Sequence, residues 1–221
     1  FIYGNTYFLI FLFAVISVVL YFVHSKHPNY YLPKCSRLIA ISVFSLLFIC
    51  VLALIIYYSL YNTKAPLKGA LSYFRFNDSW GTHRGFMWIR ALYIFGDMSI
   101  LKKIFGSGPD TFVKMMDVFG YNDELKVFKS EVTDCAHNVY LNYLVTLGLI
   151  GVVSYITAIV SSVVRAVKKA FKNKYAVIFA GSVVCYGIQS IVNIDQPITT
   201  PLFILMLALT ESQCRANKEV E

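Results

Sequence analysis

Three runs of this chain, residues 6 to 23, 38 to 60 and 139 to 164, contain no Asp, Glu, Lys or Arg. Each is long enough to cross the ~30 Å hydrocarbon core of a bilayer at about 1.5 Å per helical residue. In hydrocarbon every backbone N–H and C=O must be satisfied internally, so runs of this kind have to fold as helices. Residues 175 to 194 make a fourth apolar run, which Asp195-Gln196-Pro197 terminates with polar residues and a helix-breaking proline. A shorter fifth run covers about 198 to 211. Composition agrees, with 57% hydrophobic and only 14% charged residues, where soluble domains carry about a quarter charged. The predicted architecture is an all-α polytopic membrane bundle of about five transmembrane helices. A long extracytoplasmic helical loop, residues 61 to 137, separates helices 2 and 3.

The net charge of +8 does not describe a nucleic-acid surface once the apolar runs are placed. Half of the basic residues lie at three short sites: Lys26, Lys34 and Arg37; Arg165, Lys168, Lys169, Lys172 and Lys174; Arg215 and Lys218. That distribution matches the cytoplasmic excess of Lys and Arg that orients membrane helices. Residues 24 to 37, 165 to 174 and the C-terminus are therefore expected inside, and the long segment with Asp195 outside. The remaining basic residues share the long segment with most of the acids and nearly balance them. The five cysteines are scattered and show neither a disulfide framework nor a metal-ligand spacing. Phe1 stands where a start would have Met, and no basic region or cleavage site marks a signal peptide, so we expect the C-terminal part of a longer chain.

The confident spans lack the ionisable groups that ion and proton pathways place within the bilayer, which turns attention from transport to the outer segment. There, Arg84 to Phe105 mixes Phe86, Met87, Trp88, Leu92, Ile94, Phe95 and Ile100 with basic residues. This suits a helix lying along the membrane interface with Trp88 at headgroup depth. Gly106-Ser107-Gly108-Pro109-Asp110 is a dense turn signal, and Asp110 is placed to cap a short helix over Thr111 to Phe119. A further short helix is expected around Asp123 to Phe128.

The most informative string is His137-Asn138, nine residues, then Gly148-Leu149-Ile150-Gly151. It sets a histidine at the outer mouth of the third span and two glycines, suited to close packing, deeper in. Taken singly, His137 reads as a polar loop residue, and Arg84 and Arg90 read as headgroup anchors. Gly106 and Gly108 read as a turn, because no strand precedes them as a nucleotide loop would require. His83, Asp134, Cys135 and His137 match no zinc spacing.

Together and in order, Arg84-x-x-x-Trp88, the Gly106-x-Gly108-x-x-x-Phe112 turn and the His-Asn-x9-Gly-x-x-Gly string resemble the O-antigen ligase and O-antigen polymerase superfamily of bacterial membrane enzymes. The resemblance covers about residues 80 to 160. It implies a GT-C-like, multi-pass protein of the bacterial plasma membrane. Such a protein moves a glycan from an undecaprenyl-diphosphate carrier to a glycan or lipid-linked acceptor, with no metal or nucleotide cofactor. A sugar diphosphate is already activated, so the chemistry needs a base for the acceptor hydroxyl and cations for the departing diphosphate. On that match His137 is the expected base and Arg84 the expected diphosphate ligand, since a guanidinium binds phosphate oxygens bidentately and stays charged. Arg90, off the Arg84 face by roughly 120° at 3.6 residues per turn, ranks below it as a substrate ligand. Asn138 is expected to orient His137 or a sugar hydroxyl. A further arginine of the family, often in a Ser-Arg pair, has no counterpart on the outer side; Ser36-Arg37 falls on the cytoplasmic side. The alternative of another class is a non-enzymatic membrane component of polysaccharide export or assembly.

Overall fold

The computed structural model describes residues 34–121, 134–169 and 173–216, so the first apolar run and the helix expected near Asp123 lie outside the described residues. Every regular element among the described residues is helical, with no strand. The chain divides into two compact units, Phe1–Leu54 and Ile55–Glu221. Helix α1, Lys34–Ile56, accounts for the described part of the first. It coincides with the second apolar run.

The second unit opens with a π-helical turn, Tyr57–Tyr61, and a 3-10 turn, Gly69–Phe74. Arg75 fastens this stretch, donating from Nη2 to the carbonyls of Ala65 (2.6 Å) and Asn62 (3.2 Å). The Phe76 amide donates to Ser59 Oγ at 2.8 Å. The helices that follow are α2 (Trp80–Asp97), α3 (Ile100–Phe105), α4 (Phe112–Val118), α5 (Val139–Thr146), α6 (Gly148–Lys169), α7 (Lys174–Gln189) and α8 (Thr199–Ala216).

The segment between α1 and α6 has a core of its own. Phe86, Met87, Ala91 and Ile94 recur on one face of α2 and are buried against Phe112, Met115 and Met116 of α4, Ala136, and Val145 of α5. This corrects the interfacial reading of Arg84 to Phe105 in two respects. The stretch is two helices, separated at Met98 and Ser99, and the apolar face of α2 packs on protein. Trp88 sits in an aromatic cluster with Trp80 and Phe76, at centroid distances of 5.3 and 6.0 Å. Within Arg84 to Phe105 the apolar residues left exposed are those of α3, Ile100, Leu101 and Phe105, together with Leu92 and Tyr93. Asp110 is not a cap: it takes a left-handed φ of 56°, and Thr111 occupies the cap position of α4.

The third apolar run is also two helices. Gly148, at φ +69°, turns the chain between α5 and α6. The reason lies opposite it, where a Cβ on Gly148 would stand 2.4 Å from the Ile104 carbonyl oxygen and 2.5 Å from the Gly106 nitrogen. Gly106, at φ +82°, meets the Thr146 carbonyl oxygen at 2.2 Å in the same way. Backbone therefore lies directly on backbone. The contact is sealed by hydrogen bonds from the Ser107 and Gly108 amides to the carbonyls of Val145 (3.0 Å) and Thr146 (2.9 Å). Ser107 Oγ adds a bond to Val145 O at 2.9 Å.

Helices α6, α7 and α8 pack on one another, with Ala166, Ala176, Ala180 and Cys214 forming a small-residue core that permits close approach. Val153, Val160, Val164, Ile178, Ile188, Leu202 and Ile204 remain exposed, as lipid-facing side chains would. At the basic end Glu211 joins Arg165 (2.7 Å) and Arg215 (3.1 Å). Among the described residues α6 is the one helix long and apolar enough to cross a membrane, while Ser45–Tyr61 and Tyr175–Gln189 are shorter apolar stretches.

Because both glycines of the clamp combine a positive φ with no room for a Cβ, Gly106→Ala and Gly148→Ala should each destabilise the fold by about 3 kcal/mol or more. Thermal unfolding of the detergent-solubilised variants should show a clear fall in Tm. Gly96→Ala, where a Cβ meets nothing within 4 Å, should show none.

Candidate active site

Arg84 follows three consecutive left-handed residues, Gly81 (φ 59°), Thr82 (φ 61°) and His83 (φ 68°). For non-glycine residues this conformation costs roughly 1 to 2 kcal/mol each, and such strain persists only where surrounding structure holds it. Gly85 provides that hold, packed so tightly on the Asn77 carbonyl that a Cβ would lie 1.9 Å from its oxygen. The Arg84 side chain folds back over the turn, Nη1 donating to the Gly81 carbonyl at 2.9 Å. Its Nε is buried without a hydrogen-bond partner. A guanidinium donor left unused is a feature of the fold that calls for a reason.

His137 is held in a second left-handed position, φ 49°, and its neighbours explain why it stays there. Ala136 is wholly buried in the outer core, and its amide donates to Asn142 Oδ1 at 3.4 Å. Asn138, 7% exposed, is the N-cap of α5, its Oδ1 accepting from the Leu141 amide at 3.0 Å. The next amide, Val139, donates to the Ser190 carbonyl at 2.9 Å. With the backbone pinned on both sides, only the imidazole is left to adjust.

Burial lowers the His137 pKa below the usual 6.5, and the positive charge of Arg84 lowers it further, against a smaller opposing effect of Asp134. Folding thus puts Arg84 and His137, from separate elements, within electrostatic reach of each other and favours the neutral ring. Burial also pushes the neighbouring Cys135 thiol up to about 12, so it is no nucleophile near neutrality.

His137 opens onto a cavity of about 200 Å³ whose wall also includes Asp110, Asp134, Asn138, Asn142 and Asp195. Arg84 does not belong to this wall, so the guanidinium acts on His137 from outside the cavity. Arg90 is engaged elsewhere. It pairs with Asp78 at 3.5 Å and stacks over the rings of Phe86 (4.4 Å) and Tyr121 (5.6 Å). No three His, Cys, Asp or Glu side chains among the described residues converge as a metal ion would require.

Asp195 is the site residue that sequence reasoning did not single out. Its carboxylate accepts hydrogen bonds from the hydroxyls of Tyr143 on α5 and, at 3.2 Å, Tyr186 on α7. In the sequence it appeared only as a polar break ahead of Pro197.

A histidine whose charged form is disfavoured by burial and by the charge of a guanidinium, set in the wall of a polar cavity, makes this a candidate site for proton transfer. The family model for O-antigen ligase matches residues 4–156, and the chain belongs to that family. Membership places it among bacterial membrane proteins that transfer glycosyl units in polysaccharide assembly and use lipid-linked glycans. The match extends well upstream of the motifs and includes all three of them. No curated protein and no solved structure matches the chain.

The direction of the His137 shift can be read by titration. NMR of the labelled ring should give a midpoint below 6.5, moving up in Arg84→Gln and down in Asp134→Asn, in line with the sign of each charge. A lowered folded-state pKa means that the fold disfavours the protonated ring. The resulting loss of stability is absent above pH 6.5 and grows as pH falls below it toward the folded value. His137→Gln should lack that component.

Proposed function

We propose that the chain transfers a glycan from an undecaprenyl-diphosphate carrier to an acceptor sugar hydroxyl at the outer face of the bacterial plasma membrane. His137 is the general base and Arg84 the diphosphate ligand. The observation that supports this most is the electrostatic coupling between the two: burial and the charge of Arg84 both disfavour the protonated form of His137, which lines a polar cavity.

His137 takes the proton of the acceptor hydroxyl, and the oxygen attacks the anomeric carbon from the face opposite the leaving group. The bond from that carbon to the diphosphate oxygen breaks as the new glycosidic bond forms. The undecaprenyl diphosphate leaves with the bonding pair, and its growing charge is met by the Arg84 guanidinium. The unpartnered Nε of Arg84 supports this role, because a phosphate oxygen would satisfy it. Asn138 positions His137 through the α5 cap, and Arg90 holds α2 to the preceding loop.

In this reading residues 61 to 137 form an extracytoplasmic loop carrying the site within a membrane domain spanning the whole chain. Helix α6 crosses the bilayer, with α1, α7 and α8 as further spans. The exposed face of α3 rests on the outer leaflet beside the lipid-linked donor.

In a strain dependent on the full-length protein, His137→Ala should reduce glycan transfer about 10² to 10⁴-fold, the usual contribution of a positioned base. Arg84→Ala should weaken donor use, and Arg84→Lys should recover only part of it because the bidentate fork is lost. Normal glycan ladders from both alanine variants would refute the assignment.

A further inference from the structure

We propose that Asp195 is the acceptor-sugar ligand of this site, and that the cavity it shares with His137 admits a sugar presenting hydroxyls and rejects one carrying an anionic group. The assignment rests on the glycan-transfer reading above and deepens it.

Two helices meet at this one carboxylate, and a third joins through one of its partners. Tyr143 donates to Oδ2 and Tyr186 to Oδ1, and Tyr186 is also hydrogen-bonded to Thr200 Oγ1 at 3.1 Å. Tyr143 stands on α5, the helix that begins immediately after His137-Asn138, so base and carboxylate are mounted on one framework. An ionised carboxylate offers about four acceptor sites. The two tyrosines use one on each oxygen, leaving a second on each for hydroxyl donors. A pair of neighbouring sugar hydroxyls supplies such donors.

A purely structural tie between α5 and α7 explains less. The same helices are already joined by Tyr140 Oη to the Gly187 carbonyl at 2.7 Å and by the Val139 amide to Ser190 at 2.9 Å. Neither bond places a charge in a cavity, and bringing a carboxylate partly out of water is costly unless its lone pairs find donors.

Charge then decides which substrate enters. The wall described above carries Asp110, Asp134 and Asp195 and, among the described residues, no Lys or Arg. A diphosphate would meet repulsion there and attraction at Arg84, outside the wall. The acceptor is thereby assigned to the cavity and the diphosphate to Arg84, outside its wall. The volume of about 200 Å³, below the ~300 Å³ of a small drug pocket, is of the size that one sugar ring fills.

The test uses the full-length protein in nanodiscs, with galactose, N-acetylglucosamine and glucuronic acid as saturation-transfer NMR probes. At least one of the two neutral sugars should give a signal with the wild type, and glucuronic acid should give none. Asp195→Asn, nearly isosteric, should weaken that signal about tenfold or more, as loss of a charged hydrogen bond does, without lowering Tm. Tyr143→Phe should weaken it less. In a transfer assay Asp195→Asn should raise the acceptor KM and leave the donor KM unchanged. Binding that is indifferent to Asp195→Asn, equal binding of glucuronic acid, or no binding of either neutral sugar would each overturn the proposal. Asp195-dependent sugar binding without any glycan transfer by the wild type would instead overturn the reaction and leave the sugar site standing.

Discussion

The contact between the Gly106 turn and the Gly148 break holds the rest of the second unit in place. Two stretches of backbone approach where no side chain fits, and amide donors of one reach the last carbonyls of α5 in the other. A helix end normally leaves those carbonyls without partners. Here they serve as the docking point, so the turn both satisfies and fixes the end of α5. Helix α5 is consequently set off from the direction of α6, with its other end, bearing His137, directed to the outer core.

From that clamp the site follows in steps. Val145 enters the core of α2 and α4, whose buried face carries Phe86, Met87, Ala91 and Ile94. Arg84 lies one turn before Trp88 at the entry to α2, on a left-handed turn that Gly85 holds against Asn77. The result is that Arg84 and His137 each stand on or next to left-handed backbone held by the packing around it. In the proposed reaction, backbone fixed in this way would need little reorganisation when charge develops. The same rigidity explains why the motif residues have different tasks: His137 meets the cavity, while Asn138 holds the cap and Gly148 makes the clamp.

The apolar runs, the asymmetric basic loops and the three ordered motifs were legible because each depends on local composition or spacing. The motif order also singled out Arg84 and His137, which the fold couples electrostatically. The two helix breaks were less legible. The run from 139 to 164 has no charge and no proline to mark a kink, and Gly148 is tolerated in a membrane helix; it becomes a turn only because Ile104 and Gly106 lie against it. Likewise the apolar positions of α2 have the spacing of an interfacial helix, and nothing in that spacing distinguishes lipid from the methionines of α4. Arg90 looked like a ligand until Asp78, Phe86 and Tyr121 surrounded it.

By itself the sequence determined the helical class and the family, since hydropathy, charge and motif order are properties of the chain read in one dimension. Tertiary structure decided what surrounds the reacting groups. Asp195 lies 52 residues from the tyrosine that holds it, and no periodicity or motif joins them. The lowered proton affinity of His137 arises in the same way, from burial and from a guanidinium on another helix. Both are effects of distance in space, which falls steeply enough in its influence that only the folded chain can set it.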